Sequence, residues 1–112
     1  MLNVSRPKKP MKIWWTYAKA MIRQYPQIKN DGERKKLSPI KQKEFEAVKK
    51  AIELTQKRRN AESRMQVIEA VLWNKGCTLA QAATRLYLSE GSAFRYHCDF
   101  ILLVGECYGL VE

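Results

Sequence analysis

Residues 78–99, TLAQAATRLYLSEGSAFRYHCD, decide how this chain is read. Thr78 is placed to N-cap a short helix, and Gln81 three residues on closes a capping box. Leu79, Ala82, Ala83 and Leu86 then recur at helical spacing and make one apolar face. Tyr87-Leu88 interrupts the run. Ser89 caps a second helix, with Glu90 against its positive end. Ala93, Tyr96, His97 and Phe100 form the next buried stripe. Two short helices joined by a tight turn are the helix-turn-helix layout, and Ala82, Ala83 and Ala93 supply the small residues needed where they cross. Tyr87 stands where such a turn commonly prefers glycine, which predicts a longer or altered turn.

Working outward, the second helix continues from Ser89 to Tyr108 and stops at Gly109. Beyond Asp99 it is apolar nearly all round (Phe100 to Val104), so it must be buried on all sides, against the earlier helices or another subunit. Upstream, Asn60 is positioned to cap a support helix over 61–74, with Met65, Ile68 and Leu72 in one row, Ala61, Val71 and Trp73 beside it, and Gly76 as its stop. Ser38-Pro39 opens a long helix that reaches about Arg59. Its stripe is Ile40, Phe45, Val48, Ile52 and Thr55, and Glu44, Glu46 and Glu53 alternate with lysines on a charged outer face. That stripe can pack on the domain or pair with another copy.

The first helix runs from Met11 to Tyr25 and Pro26 ends it. Its aromatics, Trp14, Trp15, Tyr17 and Tyr25, have the helical spacing of a core or partner face; a stacking platform for single-stranded nucleic acid is the rarer use of such residues. Residues 27–37 read as a loop, with Asn30-Asp31-Gly32 as turn chemistry. Residues 1–10 are a flexible basic arm with two prolines. The expectation is an all-α chain of about five helices: the arm, then one helical domain over 11–112 with a helix-turn-helix at 78–99 and a long recognition helix.

A chain of 112 residues supports one domain with a modest core. The net charge of +10 points to a polyanionic partner, nucleic acid before an anionic membrane surface. The charge is uneven. Residues 1–60 carry 17 Lys/Arg against 5 Asp/Glu, a balance of +12, whereas residues 61–112 carry 4 against 6, a balance of −2. The stretch that looks like a reading unit thus lies in the slightly acidic half. No apolar run is long enough to span a bilayer, and no apolar signal segment follows the basic start, so a reducing cytoplasm is expected and no membrane.

Enzyme chemistry finds little support. The single histidine, His97, falls on the buried side of the last helix and reads as a packed core residue. Cys77, Cys98 and Cys107 lack the spacing of a zinc site, and there is no phosphate-cradling glycine loop. No metal or cofactor is expected. Double-stranded DNA fits better. Ser89, Glu90, Ser92 and Arg95 face outward near the start of the second helix, where such a motif meets base edges. Arg85 can touch the backbone from the first helix of the motif. Arg6, Lys8 and Lys9 on the arm can track phosphates or enter a minor groove.

The stretch from Val67 to Glu112 resembles the phage late-gene transcription activators of the RinA-like type. The likeness is carried by Trp73 and Lys75 on the support helix, by Thr78-Leu79 and Ala82-Ala83, and then by Ser89-Glu90, Ala93, Arg95, His97, Asp99-Phe100-Ile101 and the terminal Gly109-Leu110. The stretch WWTYAKAMIRQYPQIK (14–29) also resembles the N-terminal part of such proteins. The resemblance implies a DNA-binding activator of phage or prophage genes in a bacterial host cell, with a motif similar to the sigma-factor region that reads the −35 element. Gly91, Phe94 and Cys98 depart from that pattern, standing where it carries arginines. Arginine is the best bidentate reader of guanine, so DNA affinity must come from the arm and the first two helices, or the motif has turned toward protein contacts. The alternative is therefore an interaction module that contacts RNA polymerase or a phage packaging component with only weak DNA contact. Either can act as a homodimer.

Overall fold

The computed structural model describes residues 12–32, 37–74 and 77–110. These form five α-helices and no strand: α1 (Lys12–Gly32), α2 (Pro39–Gln56), α3 (Ala61–Ile68), α4 (Leu79–Leu86) and α5 (Glu90–Tyr108). The all-α class is as the sequence predicts. The arm over 1–10, Lys75 and Gly76 lie outside the described residues.

Helix α5 is the axis, and all four other helices pack on it. Ala93, Tyr96, His97, Phe100, Ile101, Leu103, Val104 and Gly105 are buried along it, as its nearly all-round apolar sequence demands; Leu102 alone of the terminal run keeps an open face. Two apolar clusters result. The larger joins Ala18, Met21 and Ile22 of α1 to Val48 and Ala51 of α2 and the C-terminal half of α5. The smaller joins Val67, Ala83, Ala93 and Tyr96, with Leu79, Leu86 and Leu88 against it. Helix α3 is the shared wall: Val67 faces the small cluster, and the next residue, Ile68, the large one.

Several helix ends form as their sequence dictates. The Ser38 hydroxyl accepts from the Lys41 amide at 3.2 Å, with Pro39 at the first helical position. Thr78 and Gln81 form both halves of the capping box, at 3.1 and 3.0 Å. Ser89 accepts from the Ser92 amide at 3.0 Å. Gly109 ends α5 at φ 95°, where only glycine is free of a Cβ clash.

Other boundaries differ from expectation. Pro26 does not end α1, which runs on through residues expected to be a loop, to Gly32. A helical proline leaves the carbonyl four residues earlier without its donor. Here that is Ile22, and the indole Nε1 of Trp73 donates to its carbonyl oxygen at 2.6 Å. Trp73 can do so because α3 does not stay α-helical to Asn74: Glu69–Trp73 widen into a π-turn, which shifts the residues that follow around the axis. Asn60 precedes α3 as predicted, but its side chain makes no cap. It sits at φ 60° and its Nδ2 donates to the Tyr96 hydroxyl at 3.2 Å.

Helix α2 ends at Gln56 rather than near Arg59, and its buried face is rotated from the expected stripe. Val48 and Thr55 are buried, Phe45 and Ile52 half-buried, and Ile40 is 62% exposed. Ala47 and Ala51 are buried instead, as close helix packing favours. Glu44, expected on the charged outer face, is buried between α1, α2 and α5. It accepts a short hydrogen bond from the Tyr17 hydroxyl and lies 3.5 Å from the Lys41 ammonium. The bond to Glu44 pushes the Tyr17 phenol well above its ordinary pKa.

Candidate nucleic-acid interface

The unit formed by α4 and α5 has a turn of three residues, Tyr87, Leu88 and Ser89. Of the longer or altered turn expected from a tyrosine at this place, the turn is not longer, and what is altered is the residue in its left-handed position. Tyr87 itself adopts the left-handed conformation, at φ 58° and ψ 40°. Its amide bonds the Thr84 carbonyl at 3.3 Å and the Leu88 amide bonds Ala83 at 2.9 Å, which is the Schellman closure usually made with glycine. Left-handed backbone costs a non-glycine residue about 1 kcal/mol or more. The side chain recovers none of it by packing, because Tyr87 is 95% exposed.

The turn aims the first two turns of α5 outward. Glu90, Gly91, Phe94 and Arg95 are exposed there and Ser92 is half-buried. Arg95 pairs with no acid among the described residues. The Ser89 and Ser92 hydroxyls lie 3.0 Å apart and bond each other, so both are partly occupied by the cap. Arg85 is exposed on the outer side of α4, where with Ala80, Gln81 and Thr84 it lines a shallow open depression. Five of the predicted contact residues, Arg85, Ser89, Glu90, Ser92 and Arg95, thus lie on exposed parts of the α4–turn–α5 unit. Arg6, Lys8 and Lys9 lie outside the described residues.

Positive charge reaches α5 from two other elements. From α1, Lys19 and Arg23 act on His97, and Lys19 also on Cys98. Burial first, then these two cations, push the His97 imidazole down to about 4, so it is neutral at physiological pH. Its Nδ1 is buried without a hydrogen-bond partner. Burial and the neighbouring Asp99 push the Cys98 thiol up, against the opposing pull of Lys19. From the other side comes Arg64 of α3. It bonds Asp99 at 3.1 Å, lies 4.6 Å over the Tyr96 ring, and donates from Nε to the Arg59 carbonyl at 3.0 Å. That last bond ties the exposed Arg58-Arg59 corner to the α3–α5 contact.

Sequence reasoning did not single out Lys19, Arg23 and Arg59 as neighbours of α5. The pairing of α1 with α5 depends on residues some 90 positions apart in sequence, such as Trp14 against Gly105, which no local pattern announces.

Among the described residues no group of three His, Cys, Asp or Glu side chains could hold a metal, and no helix is long and apolar enough to cross a membrane. The class defined so far is an all-α protein organised on one central helix, with a tight three-residue turn presenting that helix's exposed start. Comparison with protein-family models, curated proteins and solved structures yields no significant match.

Proposed function

We propose that the protein is a sequence-specific transcription regulator that binds double-stranded DNA, acting in the cytoplasm of a bacterial host as an activator of phage or prophage late genes, as its RinA-like resemblance implies. The observation that carries this reading is the exposed Arg95 on the outer face of α5, paired with no acid among the described residues; Lys19 and Arg23 of α1 act on His97 of the same helix, and Arg64 ties the exposed Arg58-Arg59 corner to Asp99. Arg95 then reads base edges from the major groove, and Ser89, Glu90 and Ser92 line its approach. The flanking cations hold the phosphates that border the groove. In this reading α1 and the α2–α3 corner supply the charge that residues 61–112, at −2, lack.

Titration of labelled DNA at several salt concentrations tests it, on sequences selected from a random pool. Affinity falls steeply with salt as counterions are released. Lys19→Ala with Arg23→Ala weakens binding alike on all sequences and lowers the slope of log K against log salt by about 2, one for each phosphate left unneutralised. Arg95→Ala instead collapses discrimination between selected and random DNA. Equal reductions on every sequence for both variants would remove Arg95 as a reader. A palindromic selected site reports a homodimer.

A second reading is favoured by one observation: Phe94 and Leu102 on α5 are 57% and 36% exposed. In it the helix docks RNA polymerase or a packaging component and touches DNA weakly. Tight binding of a purified polymerase subunit, together with no DNA binding at low salt, would establish this reading over the first.

A further inference from the structure

The outer face of α5 carries an apolar ring where a purely charge-driven binder would place another cation. Phe94 is the fifth residue of α5, directly before Arg95, and is 57% exposed. It is no misplaced core residue, for Ala93 beside it is fully buried and the core continues through Tyr96 and His97. Gly91, one turn earlier, leaves the helix surface bare: a Cβ there would meet nothing nearer than the Ser89 hydroxyl at 3.9 Å. Cys98, one turn later, continues the apolar row and is half-buried. The surface is therefore a bare strip of backbone, an aromatic ring and a guanidinium within two helical turns; Lys19 acts on Cys98 at its end.

Such a surface asks for a polyanion that also offers an apolar group. Among the base edges in the major groove only thymine does so, through its 5-methyl group. We propose that Phe94 packs against a thymine methyl while Arg95 bonds a neighbouring guanine, so that the protein selects sites in which thymine and guanine lie side by side in the groove. The charge beside the ring argues for this occupant over an apolar protein helix, because the exposed residue next to Phe94 is Arg95, which pairs with no acid among the described residues. Gly91 allows the base edge to approach the backbone closely, which any larger residue would hinder. The inference rests on the DNA reading above and identifies what that site recognises.

The test replaces thymine by deoxyuridine, which removes the methyl and nothing else. Sites are first selected from a random pool with the full-length protein. Each thymine in a selected site is then changed singly to deoxyuridine and the affinity remeasured. One or two positions should lose about fourfold in affinity, the effect of withdrawing one buried methyl. With Phe94→Ala that sensitivity should vanish at the same positions, while Phe94→Leu should retain part of it. The variants fold, as circular dichroism will verify, because the ring is largely outside the core; the deoxyuridine series on the unaltered protein needs no variant. Selective binding that is indifferent to every deoxyuridine, or selected sites with no thymine beside guanine, overturns the methyl reading and leaves the DNA reading standing. Absence of any sequence-selective binding overturns both. Loss of polymerase-subunit binding, with unchanged DNA selectivity, in Phe94→Ala assigns the ring to a protein contact and also overturns the inference.

Discussion

Substituting Gly105 by alanine probes the packing that brings α1 onto α5. In an ordinary helix interior the change gains about 1 kcal/mol. At Gly105 the new Cβ would lie 2.4 Å from Cζ3 of Trp14, and 2.9 and 3.1 Å from two further ring atoms. Carbon atoms rest at about 3.5 Å or more, so the indole must retreat by about 1 Å. Trp14 is set edge-on against Trp15 at 5.6 Å, so its retreat disturbs a second ring. Overpacking of this kind costs about 1–3 kcal/mol. Set against the propensity gain, the clash should leave Gly105→Ala destabilised by up to about 2 kcal/mol. Gly91→Ala is the control: the same change in the same helix, in open space, should gain up to about 1 kcal/mol. Urea unfolding followed by far-UV circular dichroism measures both, and Trp14→Leu should relieve most of the Gly105→Ala loss. Equal stability of the two alanine variants would refute the close approach of α1 to α5. It would also remove the basis for placing Lys19 and Arg23 beside α5.

Tyr87→Gly relaxes the left-handed turn residue and removes no packing, so it should raise stability by about 0.5–1 kcal/mol in the same assay. If the exposed ring serves binding, DNA affinity falls while stability rises. His97 has its pKa pushed down to about 4 by burial, Lys19 and Arg23, against 6.5 for a free histidine. The unfolded chain takes up the proton first as pH falls, so stability is full above about pH 6.5 and declines toward pH 4, by up to about 3 kcal/mol. His97→Leu should flatten that profile in unfolding measured across the range. Trp73→Phe leaves the Ile22 carbonyl beside Pro26 without its donor, and should cost about 1–3 kcal/mol and loosen hydrogen exchange in the last turns of α1.

What was legible in the sequence was what is decided locally. Ser38, Thr78 with Gln81, Ser89 and Gly109 set helix ends through bonds to residues three or four away, and each formed as the pattern implied. Three departures share another cause. Pro26 should stop a helix by local rules, and it fails to because Trp73, 51 residues beyond Ile22, supplies a donor to the stranded carbonyl. Asn60 should cap α3 by local rules, and its amide is taken by Tyr96 instead. Glu44 should face water by composition, and Tyr17 holds it inside. In each case a long-range polar partner overrode the short-range preference, and the partner was an aromatic residue with a donor or acceptor at its tip.

The same division governs the candidate site. The outward direction of Arg95 followed from helical spacing alone, because the buried stripe of α5 fixes its opposite face. That charge would have to come from the first two helices was expected from the imbalance; which of their cations lie near α5, Lys19 and Arg23 of α1, is decided by tertiary packing. This resolves the imbalance between the two halves of the chain. An α5 that must be buried along most of its length has few outward positions to give to cations, and two of those near its start are Gly91 and Phe94. Cations borne by the surrounding helices meet no such limit. In the proposed DNA-binding reading, such cations hold phosphates and leave the outward strip of α5 free for residues that distinguish one base from another. If that reading holds, phosphate attraction and base discrimination are carried by different helices, and the two effects should separate: α1 substitutions act on the salt slope, and α5 substitutions on site preference.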